Sequence, residues 1–171
     1  MKIFKKTVLF TFTVAMVLSM TACGKSFKQI DEDKFEDGLK VLKLDDEMNE
    51  YDEDDYLDDD MTYKAYVYDD NKAYIYMEFE DEEAAKDYFE DNYYEDFEDY
   101  LLDEEFEGEE SHKLKKDTGY ILFNGEEEGD DVYGGIFLKG ETIVVAEAGS
   151  TKKSAMKDIN AFLDEIGYPK P

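Results

Sequence analysis

"YKAYVYDDNKAYIYMEF", residues 63–79, sets two runs of aromatic and aliphatic residues on either side of a polar tetrad at residues 69–72. Two such β-favouring runs joined by Asp, Asn and Lys form the pattern of a β-hairpin. Side chains alternate between faces along a strand. Tyr63, Ala65 and Val67 therefore share one face of the first strand, and Ile75, Met77 and Phe79 share one face of the second. Burying those two sets together predicts a register with Val67 opposite Ile75 and Ala65 opposite Met77. The other face then pairs Tyr68 with Tyr74, Tyr66 with Tyr76 and Lys64 with Glu78, pairs that contribute about 0.2–1 kcal/mol each. The expected outcome is a patch of four tyrosines, Tyr66, Tyr68, Tyr74 and Tyr76, opposite the core. Tyrosine is enriched at interfaces, so this patch is the candidate binding face.

The hairpin runs into a helix. Asp81 stands at the N-cap, and Ala84, Ala85, Tyr88 and Phe89 follow at helical spacing. Tyr93, Phe97, Tyr100 and Leu101 continue the stripe, with Asn92 marking a kink or break. From residue 111 to 148 the pattern changes to strands, "SHKLKK", "GYILFN" and "DVYGGIFLKGETIVVAEA", punctuated at residues 117–119, 125–129 and 140. Residues 143–146 are apolar on both faces, which places them in a central strand. A last helix is capped by Ser150 or Thr151. It carries a stripe of Ala155, Ile159, Phe162, Leu163 and Ile166 and ends at Gly167, with Pro169 beyond.

Strand, turn, strand and capped helix thus occur in the same order twice, either as an internal ββα repeat or as two instances of a common unit. The expected fold is α+β, one antiparallel sheet with helices packed on one face.

Before the hairpin, Asp31 caps a helix bearing Phe35, Leu39 and Leu42, with Ile30 and Phe35 placed as a hydrophobic staple. Gly38 lowers its helix propensity. Residues 45–60, "DDEMNEYDEDDYLDDD", hold 11 acids in 16 residues. Such like-charge blocks stay solvated, so no regular structure is expected there, with Met48, Tyr51 and Leu57 as points of attachment.

The whole chain has 171 residues and a formal charge of −28, with no arginine. Phosphate binding needs patches of Lys and Arg, so nucleic acid is not an expected partner. With 14 tyrosines and 12 phenylalanines the chain has enough apolar matter to fold despite that charge. Cations, basic peptides and neutral molecules remain as ligand classes.

The N-terminus has a different composition. Lys2, Lys5 and Lys6 precede an apolar and hydroxyl run at residues 7–18, followed by "LSMTAC". A basic segment before a short apolar run is the layout of a secretory signal peptide, and the run is shorter than the ~20 residues a spanning helix needs. "LSMTAC" resembles a bacterial lipobox, with Met20 where leucine or valine is usual. The resemblance implies cleavage before Cys23, a diacylglyceryl group on its sulfur, and anchoring at the outer face of the cell membrane. Cys23 is the single cysteine, so no intramolecular disulfide competes for it. Residues 1–22 are then the signal peptide, 23–30 the lipidated cysteine and a short tether, and 31–171 one acidic α+β domain. The lipobox, the length and the ββα pattern together resemble, loosely, small uncharacterised lipoproteins of Gram-positive bacteria, which implies no activity.

Motifs for chemistry are sparse. His112, the one histidine, lies among lysines on an expected strand with no nucleophile pattern beside it. "NGEEEGDDVYGG", residues 124–135, has oxygen ligands at loop positions one, three and five and glycine at six. It places Gly135 where an EF-hand needs a bidentate glutamate, so it reads as a polar hairpin. Flexible, low-affinity Ca²⁺ binding by residues 52–60 is an alternative, and a hydrolase using paired carboxylates is a further one. The sequence is read as a non-catalytic binding domain on a lipid anchor, with a cationic or neutral envelope ligand and no assigned cofactor or metal.

Overall fold

In the computed structural model, residues 27–52, 57, 60–103 and 105–171 are described. Cys23 and most of residues 53–59 lie outside them. The chain runs α1 (Glu32–Leu42), β1 (Asn49–Asp52), β2 (Met61–Asp69), β3 (Lys72–Phe79), α2 (Glu82–Phe89), a π-turn (Glu90–Tyr94), α3 (Glu95–Leu102), β4 (Phe106–Lys115), β5 (Thr118–Glu127), β6 (Asp130–Lys139), β7 (Thr142–Ala148) and α4 (Lys153–Ile166). The seven strands form one sheet in the order β1-β2-β3-β7-β6-β5-β4, antiparallel throughout. The fold is α+β.

β7 occupies the middle of the sheet, as its doubly apolar sequence requires. Val144, Ala146 and Ala148 face α1 and α4, together with Ala65, Val67, Tyr74, Tyr76 and Phe137. Ile143 and Val145 face α2 and α3, together with Met77, Phe79, Ile121, Phe123 and Leu138. Helices therefore cover both faces, where one covered face was expected. A single helical layer would leave Ile121, Leu138, Ile143 and Val145 in water, and burying a side chain of this size contributes roughly 1.5–3 kcal/mol. The two ββα units also send their helices, α2 and α4, to opposite faces. Their central strands β3 and β7 run antiparallel side by side, and a two-fold axis relating such strands would keep both helices on one face. The units share an order without forming a symmetric repeat.

The hairpin register differs from expectation by one residue. Asp69 pairs with Lys72, Val67 with Tyr74, Tyr66 with Ile75 and Ala65 with Tyr76. A two-residue turn, with Asp70 in the left-handed region at φ 53°, fixes this pairing. Lys72 reinforces it, with Nζ 2.8 Å from Asp69 Oδ2 and 2.7 Å from Asp158 Oδ2 on α4. Burial works against the Lys72 charge, but the hydrogen bonds to Asp158 and Asp69 outweigh it and hold its pKa above the ordinary value.

Local signals elsewhere read through. Asp31 Oδ1 accepts from Lys34 N–H at 3.0 Å, and Asp81 Oδ1 accepts from Glu83 and Ala84 N–H at 2.9 Å. At the start of α4, Ser150 Oγ accepts from Lys152 N–H at 3.2 Å, while Lys152 itself occupies the cap without a side-chain bond. Gly167, at φ 79°, ends that helix, and Tyr168 N–H donates to Leu163 O at 2.8 Å. Gly38 marks the crossing of α1 and α4. A Cβ there would lie 2.7 Å from the Phe162 ring and 2.9 Å from Ile166.

Two boundaries move. Residues 49–52, inside the acidic block, form the edge strand β1, and Tyr51 stacks on Tyr66 at 5.9 Å with the rings 9° from parallel. Phe27 and Ile30 are buried in the core, with the Phe27 ring 5.6 Å from Phe137 and 4.8 Å from Tyr168. The tether expected over residues 23–30 thus gives way to packed structure at Phe27.

Candidate functional site

The register divides the four tyrosines of the expected patch. Tyr74 and Tyr76 are 0% and 1% exposed beneath α1 and α4, with their rings 4.9 Å from Phe162 and 5.7 Å from Phe35 respectively. Burial pushes both phenols well above their ordinary pKa. Tyr66 and Tyr68 point to the opposite face, where Tyr68 is 62% exposed. With Tyr51 they form a shelf of three rings, Tyr66 and Tyr68 being 5.2 Å apart. The patch of four was derived from the assumption that one face of β3 is dry. Both are, so that criterion had no power to choose between registers.

On the face that carries Tyr66 and Tyr68, a cavity of about 180 Å³ opens between the sheet and the π-turn with α3. Its apolar walls are Tyr93, Phe97 and Tyr100 from above and Phe106, Phe123 and Val132 from the strands. Phe97 anchors the roof, its ring 5.6 Å from Phe106 and 6.4 Å from Phe123. The polar lining comes from Asn92, Asp96, Glu127 and Glu147. A π-turn is a local departure from α-helical bonding that occurs often at functional sites. Here Asn92 Nδ2 donates to Tyr88 O at 3.0 Å, bonding a carbonyl of the last turn of α2 as it passes into the π-turn.

Glu147 lies on β7 opposite Gly134 and Ala73. A Cβ at Gly134 would come within 2.8 Å of the Glu147 Cβ, so the glycine leaves room for that carboxylate. Glu127 ends β5 across from Phe106 and Asp130. Among the described residues neither carboxylate has an ion-pair or hydrogen-bond partner. Burial raises the pKa of Glu147 above the ordinary carboxylate value, and the negative charge of Glu127 adds to it. Burial and the adjacent Glu128 do the same to Glu127. Glu127 in turn is the main cause of the raised pKa of the Tyr100 phenol. The floor therefore concentrates acidic groups that no described residue compensates.

His112 Nδ1 is 2.8 Å from Glu110 Oε2, and its ring packs 5.6 Å from Tyr94 and 5.7 Å from Phe97. It supports α3 from behind and does not line the cavity. Residues 124–135 form the β5–β6 hairpin, closed by Glu128 at φ 51° and Gly129 at φ 91°, the type I′ geometry. Its carboxylates are strung along paired strands rather than gathered round a loop. Of the acidic block, residues 53–56, 58 and 59 lie outside the described residues. No group of three or more His, Cys, Asp or Glu suited to a metal occurs among the described residues, and no described helix is long and apolar enough to cross a membrane.

Glu127 and Glu147 escaped the sequence reading because they lie 20 positions apart and 47 acids obscure any spacing. A usable signal was present in "IVVAEAG". Glu147 is an acid inside a strand otherwise apolar on both faces, and an acid placed there needs a reason. Comparison with protein-family models, with curated proteins and with solved structures gave no match.

Proposed function

We propose that this chain is a lipid-anchored extracytoplasmic binding protein whose ligand site is the cavity under the π-turn and α3. The anchor rests on the sequence, on Cys23 behind a basic, apolar and lipobox-like leader. The observation that carries the binding role is the cavity itself, a concave and largely apolar space with a few polar groups in its lining. Among its lining residues there is no histidine, cysteine, serine, threonine or lysine. A non-catalytic site is the reading these features support.

The tether position gives the site an orientation. Cys23 stands four residues before the buried Phe27, about 14 Å at full extension. Phe27 packs on Phe137, under α1 and α4, towards the Lys139 end of β6. The cavity lies on the other face, towards Val132. Ile136, the neighbour of Phe137, also lines the cavity, so the two are separated by the sheet itself. The acylated end would face the bilayer while the cavity is held away from it.

Growth of the producing cells with an alkyne analogue of palmitate tests the anchor. The chain is expected to take the label and to fractionate with membranes. Cys23→Ala should lose the label and release the protein. Equal labelling of Cys23→Ala and the parent chain would contradict the reading.

A further inference from the structure

The cavity walls, floor and neighbouring shelf constrain the ligand further than "cationic or neutral". We propose that the site binds the ammonium group of a primary alkylamine, with its carbon stem against Phe97, Tyr100 and Phe123 and its charge on Glu127 and Glu147. This inference rests on the reading of the cavity as a binding site.

Size comes first. About 150 Å³ of apolar cavity is enough to hold benzene, so about 180 Å³ suits a stem of four to six carbons and not a larger ring system. Charge comes second. An anion would meet the carboxylates of Asp96, Glu127 and Glu147 inside a chain of net charge −28. A neutral ligand would remove their remaining water and supply at most neutral hydrogen-bond donors without a compensating charge, a costly outcome for ionised groups. A calcium ion needs six to eight oxygen ligands, and among the described residues no three acidic, His or Cys side chains come together to hold a metal. An ammonium supplies three donors on an apolar stem, and aromatic faces attract it through their quadrupoles. That combination matches both halves of the lining.

Two sources share this chemistry, a free alkylamine and the lysine side chain of a peptide. Tyr68, Ala73 and Glu147 form one cross-strand row. Tyr68 thus stands two strand spacings from Glu147, about 10 Å, on the same face. Only a peptide threading its lysine into the cavity is long enough to touch that ring as well.

The test is calorimetric titration of the full acylated chain in detergent micelles with n-butylammonium chloride, n-butanol, CaCl₂ and acetyl-Gly-Lys-Gly-amide at matched ionic strength. Saturable binding of butylammonium and not of butanol is expected. It should weaken about tenfold or more in Glu147→Gln and in Glu127→Gln, and be unchanged in the distant Glu109→Gln. A melt of each variant confirms that it is folded. Binding should also fade as pH drops from 7 towards 4, as the two carboxylates take up protons. Loss of peptide binding alone in Tyr68→Ala would assign a lysine source, and equal retention of both probes a free amine. Butanol or Ca²⁺ bound as well as butylammonium, with dependence on Glu147, would overturn the amine inference and leave the cavity a binding site. No probe responding to any cavity substitution would overturn both.

Discussion

Glu147 shows how one residue can cost stability and still define a site. It is half-buried, unpaired among the described residues, and its carboxyl titrates above the ordinary range because burial and Glu127 disfavour its charge. A carboxyl whose folded pKa is raised lowers stability at pH values above that pKa, and the penalty disappears as pH falls below the unfolded value of about 4.3. Glu147→Gln should therefore stabilise the chain at pH 7 by on the order of 1 kcal/mol, roughly 2–4 °C in Tm at this length. The gain should shrink towards zero near pH 4. Thermal melts at the two pH values check this, and a loss of stability at pH 7 would show that Glu147 has a compensating partner.

At the scale of elements, packing overrides propensity between α1 and α4. Replacing glycine by alanine in an exposed helix adds about 1 kcal/mol. At Gly38 the added Cβ meets Phe162 and Ile166 inside normal contact distance, and overpacking of this kind costs about 1–3 kcal/mol. Gly38→Ala should therefore destabilise, by about 1 kcal/mol net, and Gly38→Val by more. Urea unfolding measures both, and a stabilised Gly38→Ala would mean that the two helices sit further apart. The same scale separates what the sequence makes legible from what it hides. Caps at Asp31 and Asp81, the stop at Gly167 and the central position of residues 143–146 depend on neighbours in the chain, so they read correctly. The hairpin register depends on which face of β3 is buried. When Tyr74 and Tyr76 fill one side while Met77 and Phe79 fill the other, the alternation carries no directional information. The turn at Asp70 decided it, by one residue, and divided the expected tyrosine patch.

At the scale of the molecule, two helical layers enclose a sheet whose opposite faces serve different ends. One face is closed by α1 and α4 and receives Phe27, next to the expected anchor. The other is closed less completely, by α2, the π-turn and α3, and keeps a cavity. None of this was legible in composition, since a charge of −28 reads equally as solubility or as ligand attraction. The cavity appears only when β5, β7 and α3, distant in sequence, are brought together. Following the backbone amides of the ¹⁵N-labelled chain as n-butylammonium chloride is added is the most direct measurement, with NaCl as the reference titration. The account predicts saturable shifts confined to residues 90–102 and to the surroundings of Glu127 and Glu147. Shifts confined to residues 45–60, or spread evenly over exposed carboxylates as in NaCl, would contradict it.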